Sequence, residues 1–185
     1  MATTRAMQAE ETRRTILDTA RRLFAERGYD ATSLQEIADA MGVRKANVYY
    51  YFKTKDAILV ALLEVLSEPV GALLDRVEEE PDPQLRRRVM AAGYAAIVIA
   101  AYRGAGPLNL GDPGLRRVPD AARALDALAA RALVLLFGPQ PTADQRAALA
   151  LVLDLGAVLR QLEDVPDDEA RRTIERLCHR VVAAA

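Results

Sequence analysis

Apolar residues recur at three- and four-residue intervals along nearly the whole chain, the period of one helix face, and this spacing argues against a sheet-based fold. Ile16, Leu17, Ala20, Leu23, Phe24 and Ala25 form a first stripe, and Arg13, Arg14, Asp18, Arg21, Arg22 and Glu26 form the polar side opposite it. Gly28 follows as a natural residue to end a helix, so a helix is expected over about 9–27. Thr32 or Ser33 can cap the next one, with Gln35 or Glu36 completing a capping box and Leu34, Ile37, Ala38 and Met41 turned inward. Gly42 ends that helix after two turns, Val43 and Arg44 make a tight connection, and residues 45–52 suit a third short helix. Three helices with a glycine-containing turn between the second and third are the layout of a helix-turn-helix unit.

The pattern continues through Ile58, Leu59, Leu62, Leu63, Leu66, Val70, Leu73, Leu74 and Val77, and stops at the acidic, double-proline run 78–83. Further helices are expected over 84–103, 119–137, 142–163 and 167–184. They are separated by the glycine- and proline-rich stretch 104–114, by Gly138-Pro139-Gln140-Pro141 and by Val165-Pro166. The expectation is an all-α chain of about nine helical segments with no fixed-period repeat.

Composition removes several classes. The one cysteine, Cys178, permits neither an intrachain disulfide nor a cysteine-built zinc site, which fits a reducing, cytoplasmic compartment. Residues 1–10 lack the apolar core of a signal peptide, and no run comes near the roughly 18 uncharged apolar residues of a membrane span; Met90 to Tyr102 stops at Arg103. Cys178 and His179 are adjacent, so on a helix they diverge by about 100° and cannot serve each other as nucleophile and base. With a single histidine there is no multi-histidine metal site, and the run Glu78-Glu79-Glu80 with Asp82 reads as a solvated helix end. No GxSxG, phosphate-loop or GxGxxG context exists. The expectation is a protein that is not an enzyme, has no cofactor, and does not enter a membrane.

Chemistry concentrates in 44–55. On a helical wheel Val48 and Phe52 share one side, while Ala46, Asn47, Tyr50 and, less fully, Tyr51 point away, flanked by Lys45 and Tyr49. If Val48 and Phe52 pack on the first two helices, the other face offers an amide, phenols and cations. Such a face suits the DNA major groove, where Asn reads adenine, Lys or Arg reads guanine, and tyrosine hydroxyls bond phosphate. The competing reading is an aromatic patch that closes against another domain; Arg44, Lys45, Lys53 and Lys55 beside three consecutive tyrosines favour the first.

Residues 10–63 resemble the DNA-binding domain of the tetracycline-repressor-like (TetR) family of bacterial transcription regulators. The marks are Ile16-Leu17-x-x-Ala20, Phe24-x-x-x-Gly28-Tyr29, Thr32-Ser33-Leu34, Ile37-Ala38, Gly42-Val43, Val48-Tyr49-Tyr50-Tyr51-Phe52 and Lys55-Asp56-x-Ile58-Leu59, in order and at spacing. The resemblance implies a helix-turn-helix domain over 1–55 and a helical ligand-binding and dimerisation domain over 56–185. It implies a homodimer that binds a near-palindromic, double-stranded DNA operator and is released, as a repressor, by a small-molecule effector. Thr32 and Ser33 would then meet phosphate, Lys45 and Asn47 base edges, and Tyr49, Tyr50, Tyr51 and Lys55 phosphates. The chain departs from the family in having Arg44 where a small capping residue is usual, Ala46 where glycine is preferred, and Tyr51 where histidine is common. Arg44 thereby becomes an added candidate contact. A helical small-molecule-binding or protein-interaction module without operator binding is the alternative reading.

In the remainder, the helix over 84–103 is built of Ala, Ile and Val with Met90, Tyr94, Tyr102 and Arg103 as exceptions, and small residues leave room for an apolar ligand. Met90, Tyr94, Tyr102, Arg103, Leu108 and Phe137 are the candidate contacts; an apolar or aromatic effector is expected, with Arg103 leaving an anionic one open. Leu149, Val152, Leu153, Gly156 and Leu159 form one stripe, and Ile174, Leu177, Cys178 and Val181 another. Paired with their copies they would make a four-helix dimer interface, Gly156 allowing close approach. A purely intramolecular core is the alternative. The net charge of −1 divides into 10 Lys+Arg with 7 Asp+Glu over 1–55 and 15 with 19 over 56–185, a mildly basic unit joined to an acidic one.

Overall fold

The structure is a computed structural model and describes residues 2–105 and 113–185. The described residues form ten helices and no strand: α1 (Ala2–Arg27), α2 (Leu34–Ala40), α3 (Lys45–Tyr51), α4 (Lys55–Glu79), α5 (Pro83–Ala105), α6 (Pro113–Arg116), α7 (Pro119–Phe137), α8 (Ala143–Leu153), α9 (Gly156–Arg160) and α10 (Asp167–Ala184). The chain is all-α, as its periodicity requires. Residues 106–112 of the glycine- and proline-rich stretch, Leu108 among them, lie outside the described residues.

Local signals explain most boundaries. Of the two cap candidates, Ser33 closes the capping box: its Oγ accepts from the Glu36 N–H at 3.2 Å and its own N–H donates to Glu36 Oε2 at 2.8 Å. Gly42 ends the unit at φ +68°, a left-handed conformation that glycine adopts without steric cost. Thr54 caps α4 through the Ala57 N–H at 3.0 Å, and Thr142 with Gln145 makes a second capping box at α8.

Apolar burial divides into two clusters threaded by α4. One joins Ile16, Leu17, Ala20, Leu23 and Phe24 of α1 to Ile37 of α2, to Val48 and Phe52, and to Ile58, Leu59 and Leu63 of α4. The other joins Leu73, Leu74 and Val77 of α4 to α5, α7, α8, α9 and α10. The expected division at residue 55 falls at the start of α4, whereas the first cluster runs on through Leu63 and takes in Val118 and Ala121 of the α7 start. By length and composition alone α4 is apolar enough to cross a membrane, which the sequence reading overlooks in favour of Met90 to Tyr102. Its Ile58, Leu59, Leu74 and Val77 are fully buried in the two cores, the place that accounts for the apolarity. Pro69 lies inside α4, where it has no N–H for the carbonyl one turn earlier.

One expectation needs correction. The helix over 142–163 is broken: Asp154 (φ −106°, ψ 72°) ends α8, Leu155 turns into the core, and α9 restarts at Gly156. The apolar spacing is continuous across the break because Leu155 and Leu159 still face inward, so periodicity does not reveal it. Within the chain, a Cβ at Gly156 would meet only Arg160 Nη1, at 3.9 Å. Close approach between helices within the chain occurs at Gly93 of α5, where an added Cβ would overlap Leu73 Cδ1 of α4.

Candidate nucleic-acid interface and internal cavity

Helix α3 is seated by one side chain. Val48 is 0% exposed against α1, α2 and α4, and Phe52, just past the helix, is buried beneath the Arg13 guanidinium, 5.3 Å from the ring centroid. Anchoring that side turns Arg44, Lys45, Ala46, Asn47, Tyr49 and Tyr50 to solvent, with Tyr50 76% exposed and Tyr51 half-buried. Tyr50 and Tyr51 meet edge to face, ring centroids 5.2 Å apart, so the exposed Tyr50 rests on a ring that itself packs against the first core. Lys53 Nζ donates to the Tyr49 carbonyl at 2.9 Å and lies 4.4 Å from the Tyr49 ring centroid, a cation at the end of α3 that the candidate set omits. Arg44 occupies the N-cap position without a side-chain cap bond, so its guanidinium is not spent on the helix end.

The phosphate candidates outside α3 divide. Ser33 is exposed, and its hydroxyl oxygen caps α2. Thr32 is 2% exposed and its hydroxyl donates inward, to Gly28 O at 3.0 Å, so its expected phosphate contact through the hydroxyl is corrected: the side chain ties the α1–α2 connection instead. Lys55 Nζ donates to Tyr29 O at 2.6 Å and sits 4.1 Å over the Tyr29 ring. Much of its donor capacity is spent inside the unit. Tyr29 itself donates to Asp56, and burial with that bond raises its phenol pKa.

Between α1, α4, α5, α7 and the α8–α9 break lies a cavity of about 180 Å³. Met90, Tyr94 and Tyr102 line it, beside apolar side chains that include Val70, Val98, Leu125 and Leu128. Arg103 and Phe137 do not. Arg103 is turned onto the turn before α10, donating to Asp167 Oδ1 and Glu163 O, both at 2.8 Å, and to Val165 O at 2.5 Å. Phe137 lies under the Arg87 guanidinium, 5.7 Å away. The polar residues the sequence reading misses are Arg21, Ser67, Arg116 and Asp154. Arg21, placed by periodicity on the solvent side of α1, stands one turn after Leu17, on the flank of the apolar stripe. Because α1 also packs against α5, that flank faces inward, and Arg21 Nη2 donates to Ala101 O at 2.5 Å. Its Nε is buried with no hydrogen-bond partner among the described residues, a cost of about 1–3 kcal/mol for an unmet donor. Burial lowers the Arg21 pKa, opposed by Asp18. Tyr94 is pushed up by burial; its hydroxyl donates at 3.5 Å to Leu153 O, a carbonyl freed where α8 breaks. Among the described residues no group of three or more His, Cys, Asp or Glu is placed to hold a metal ion.

The two stripes offered as a dimer interface face mainly inward. Leu149, Val152, Leu159, Ile174 and Cys178 are at most 5% exposed and belong to the second core, with α10 packed on α5 and α8; they are corrected to intramolecular packing. Leu153, Gly156 and Val181 are half-buried, and Leu177 is 37% exposed. The outward apolar side chains of this region are instead Leu151, 67% exposed, and Val134, 51% exposed.

Comparison with known proteins agrees with this arrangement. The family model for bacterial regulatory proteins of the tetR family matches residues 16–62, the span of the first core. The HTH-type transcriptional regulator AcrR of Shigella flexneri is 41% identical over 73 residues, 40% of this chain and 34% of that protein, so the chain matches about a third of this relative's length. The crystal structure of AmtR from Mycobacterium smegmatis is 33% identical, covering 90% of this chain and 84% of that one at a TM-score of 0.51. PfmR of Thermus thermophilus, a TetR-family transcriptional regulator, is 25% identical over 89% of this chain and 97% of that one, with a TM-score of 0.63. With residues 16–62 matched by the family model and solved structures at 25–33% identity matched over about nine-tenths of the chain, the chain belongs to the TetR family of bacterial regulatory proteins.

Proposed function

We propose that the chain is a homodimeric transcriptional regulator, a repressor, that reads a near-palindromic operator with α3 and is released when a small effector occupies the internal cavity. The observation that carries the reading is the polarity of α3: Val48 is fully buried, while Lys45, Asn47 and Tyr50 on the other side stand in solvent. Residues that reach base edges and phosphates at helical spacing are thereby presented on a helix whose back is locked. Lys45 and Asn47 contact bases; Arg44, Tyr49, Tyr50, Tyr51 and Ser33 contact phosphates. The same α1 that packs on Val48 also lines the cavity through Arg21, and the start of α7 contributes Leu125 to the cavity and Ala121 to the first core. Effector binding therefore acts on helices that hold the reader. Dimerisation uses the outer edges of α8 and α10, Leu151 and Leu177, in place of the inward stripes.

Gel-shift titration with DNA flanking its own coding region tests this. Binding should be site-specific and fall steeply with salt, because each neutralised phosphate releases counterions. Light scattering should show a dimer that Leu151→Glu with Leu177→Glu converts to a monomer, and the monomer should lose tight operator binding because two half-sites are read together. Indifference to all such DNA would overturn the reading.

A further inference from the structure

We propose that the cavity takes a small organic anion, a carboxylate on an aromatic or short aliphatic body, and that Arg21 of α1 is the group that binds its charge. The inference rests on reading the cavity as the effector site.

The charged groups of the cavity wall are Arg21, Arg116 and Asp154. Arg116 is already paired, its Nη1 2.7 Å from Asp126 Oδ1. Arg21 has no ion pair among the described residues; its Nη2 meets a neutral carbonyl, that of Ala101, and its Nε is buried without an acceptor. Asp18, one turn earlier on α1, acts on it only at a distance. A partly buried guanidinium on the cavity wall that meets a neutral carbonyl and no carboxylate among the described residues is an unfinished site, and a carboxylate in the cavity completes it, because guanidinium and carboxylate pair through two parallel bonds. The rest of the wall is apolar or neutral: Val98, Leu128 and Tyr94 can cover a hydrocarbon body. Repulsion from Asp154 orients such a ligand, carboxylate toward α1 and α5, body toward α7.

Size narrows the class. The cavity of about 180 Å³ is close to the ~150 Å³ that accommodates one benzene ring in an engineered protein cavity. One ring or a medium chain fits; a long acyl chain does not without expansion.

Arg21 stands on the helix that carries Leu17, Ala20 and Phe24 into the core around Val48. An anion that competes with Ala101 O for the guanidinium therefore changes how α1 is held to α5. The binding signal enters the reader directly, through a residue of the reader itself.

The test is calorimetric titration of the full chain with phenylacetate and octanoate beside their neutral counterparts phenylacetamide and 1-octanol. The acids should bind at least tenfold more tightly than the neutral compounds. Arg21→Met, which keeps the stem, and Arg21→Gln, which keeps an N–H for Ala101 O, should each weaken acid binding tenfold or more. They should leave neutral binding unchanged and abolish acid-induced release of DNA, with folding checked by circular dichroism melting. Equal binding of acids and neutral compounds, no acid binding by folded protein, or an equal loss for both classes in the variants overturns the inference. A chain that takes acids through Arg21 but ignores all DNA keeps the ligand assignment and sinks the regulator reading; one that binds its operator but no acid does the reverse.

Discussion

Gly93 of α5 and Leu73 of α4 approach so closely that a Cβ on the glycine would lie 2.3 Å from Leu73 Cδ1. Leu73 is 2% exposed, so its side chain has little room to turn aside. Gly93→Ala gains up to about 1 kcal/mol of helix propensity but overpacks a fixed neighbour at roughly 1–3 kcal/mol, for a net loss of about 1 kcal/mol. Gly71 of α4, with nothing within 4 Å of its added Cβ, is the control. Urea unfolding should show Gly71→Ala more stable than wild type and Gly93→Ala less; stabilisation by both would mean that α4 and α5 are not in this contact.

Arg103 makes a second prediction, because the structure moves it from ligand contact to structural clamp. Its bonds to Asp167 and to the carbonyls of Glu163 and Val165 join the end of α5 to the start of α10. Hydrogen bonds to charged groups contribute about 1.5–3 kcal/mol when well buried, and partial exposure of the pair reduces this. Arg103→Met should lower the unfolding free energy by roughly 1–2 kcal/mol and leave the response of DNA binding to effector unchanged. A variant of wild-type stability with a lost response would restore Arg103 to the ligand site.

Stability should also fall at alkaline pH. Burial holds the Cys178 thiol at about 11, and burial with the bond to Glu163 holds the Tyr102 phenol at about 12. Tyr29 and Tyr94 are raised too. In each case the folded state favours the protonated group. Its contribution is complete below the unfolded value, about 9 for the thiol and 10 for the phenols, and is lost as pH rises through the folded value. Denaturant midpoints should be level up to about pH 8.5 and decline from there to pH 11, less steeply in Tyr102→Phe. A midpoint that is flat to pH 11 would contradict the burial of these groups.

The contrast between the two halves of the chain explains how far sequence reading reaches. Short-range rules carry the reader: the Ser33–Glu36 capping box, the turn at Gly42 and the inward Val48 are consequences of residues within four positions of each other. The body depends on which helix lies against which, and that is not local. The stripe through Ile174 and Cys178 is equally suited to a partner subunit or to α5, and only tertiary packing chooses α5. Arg21 misleads for the same reason, because charge on the flank of a stripe reads as solvent-facing until a second helix covers it. Tyr94 and Met90 are legible because large side chains amid alanines mark an interior wall, whereas the backbone break that brings Asp154 and Gly156 to the same wall leaves no periodic trace.

The reader supports a separation of roles that DNA titration can resolve. Asn47 and Lys45 are exposed at the start of α3, and replacing Asn47 by Ala should cost about 1–3 kcal/mol on the operator and relax sequence preference at one position. Arg44→Ala and Tyr49→Phe should weaken binding to all sequences alike, and Arg44→Ala should reduce the salt slope by about 1, the signature of a lost phosphate contact. Thr32→Val behaves differently: its hydroxyl serves the Gly28 carbonyl inside the fold, so the variant should lose about 1 kcal/mol of stability while keeping the wild-type salt slope. Lys55→Met, which removes the bond to Tyr29 O and the cation over that ring, should follow Thr32→Val and not Arg44→Ala. A salt slope reduced by one in either of these two variants would return that side chain to the phosphate backbone and show that the inward bonds are exchanged for DNA on docking.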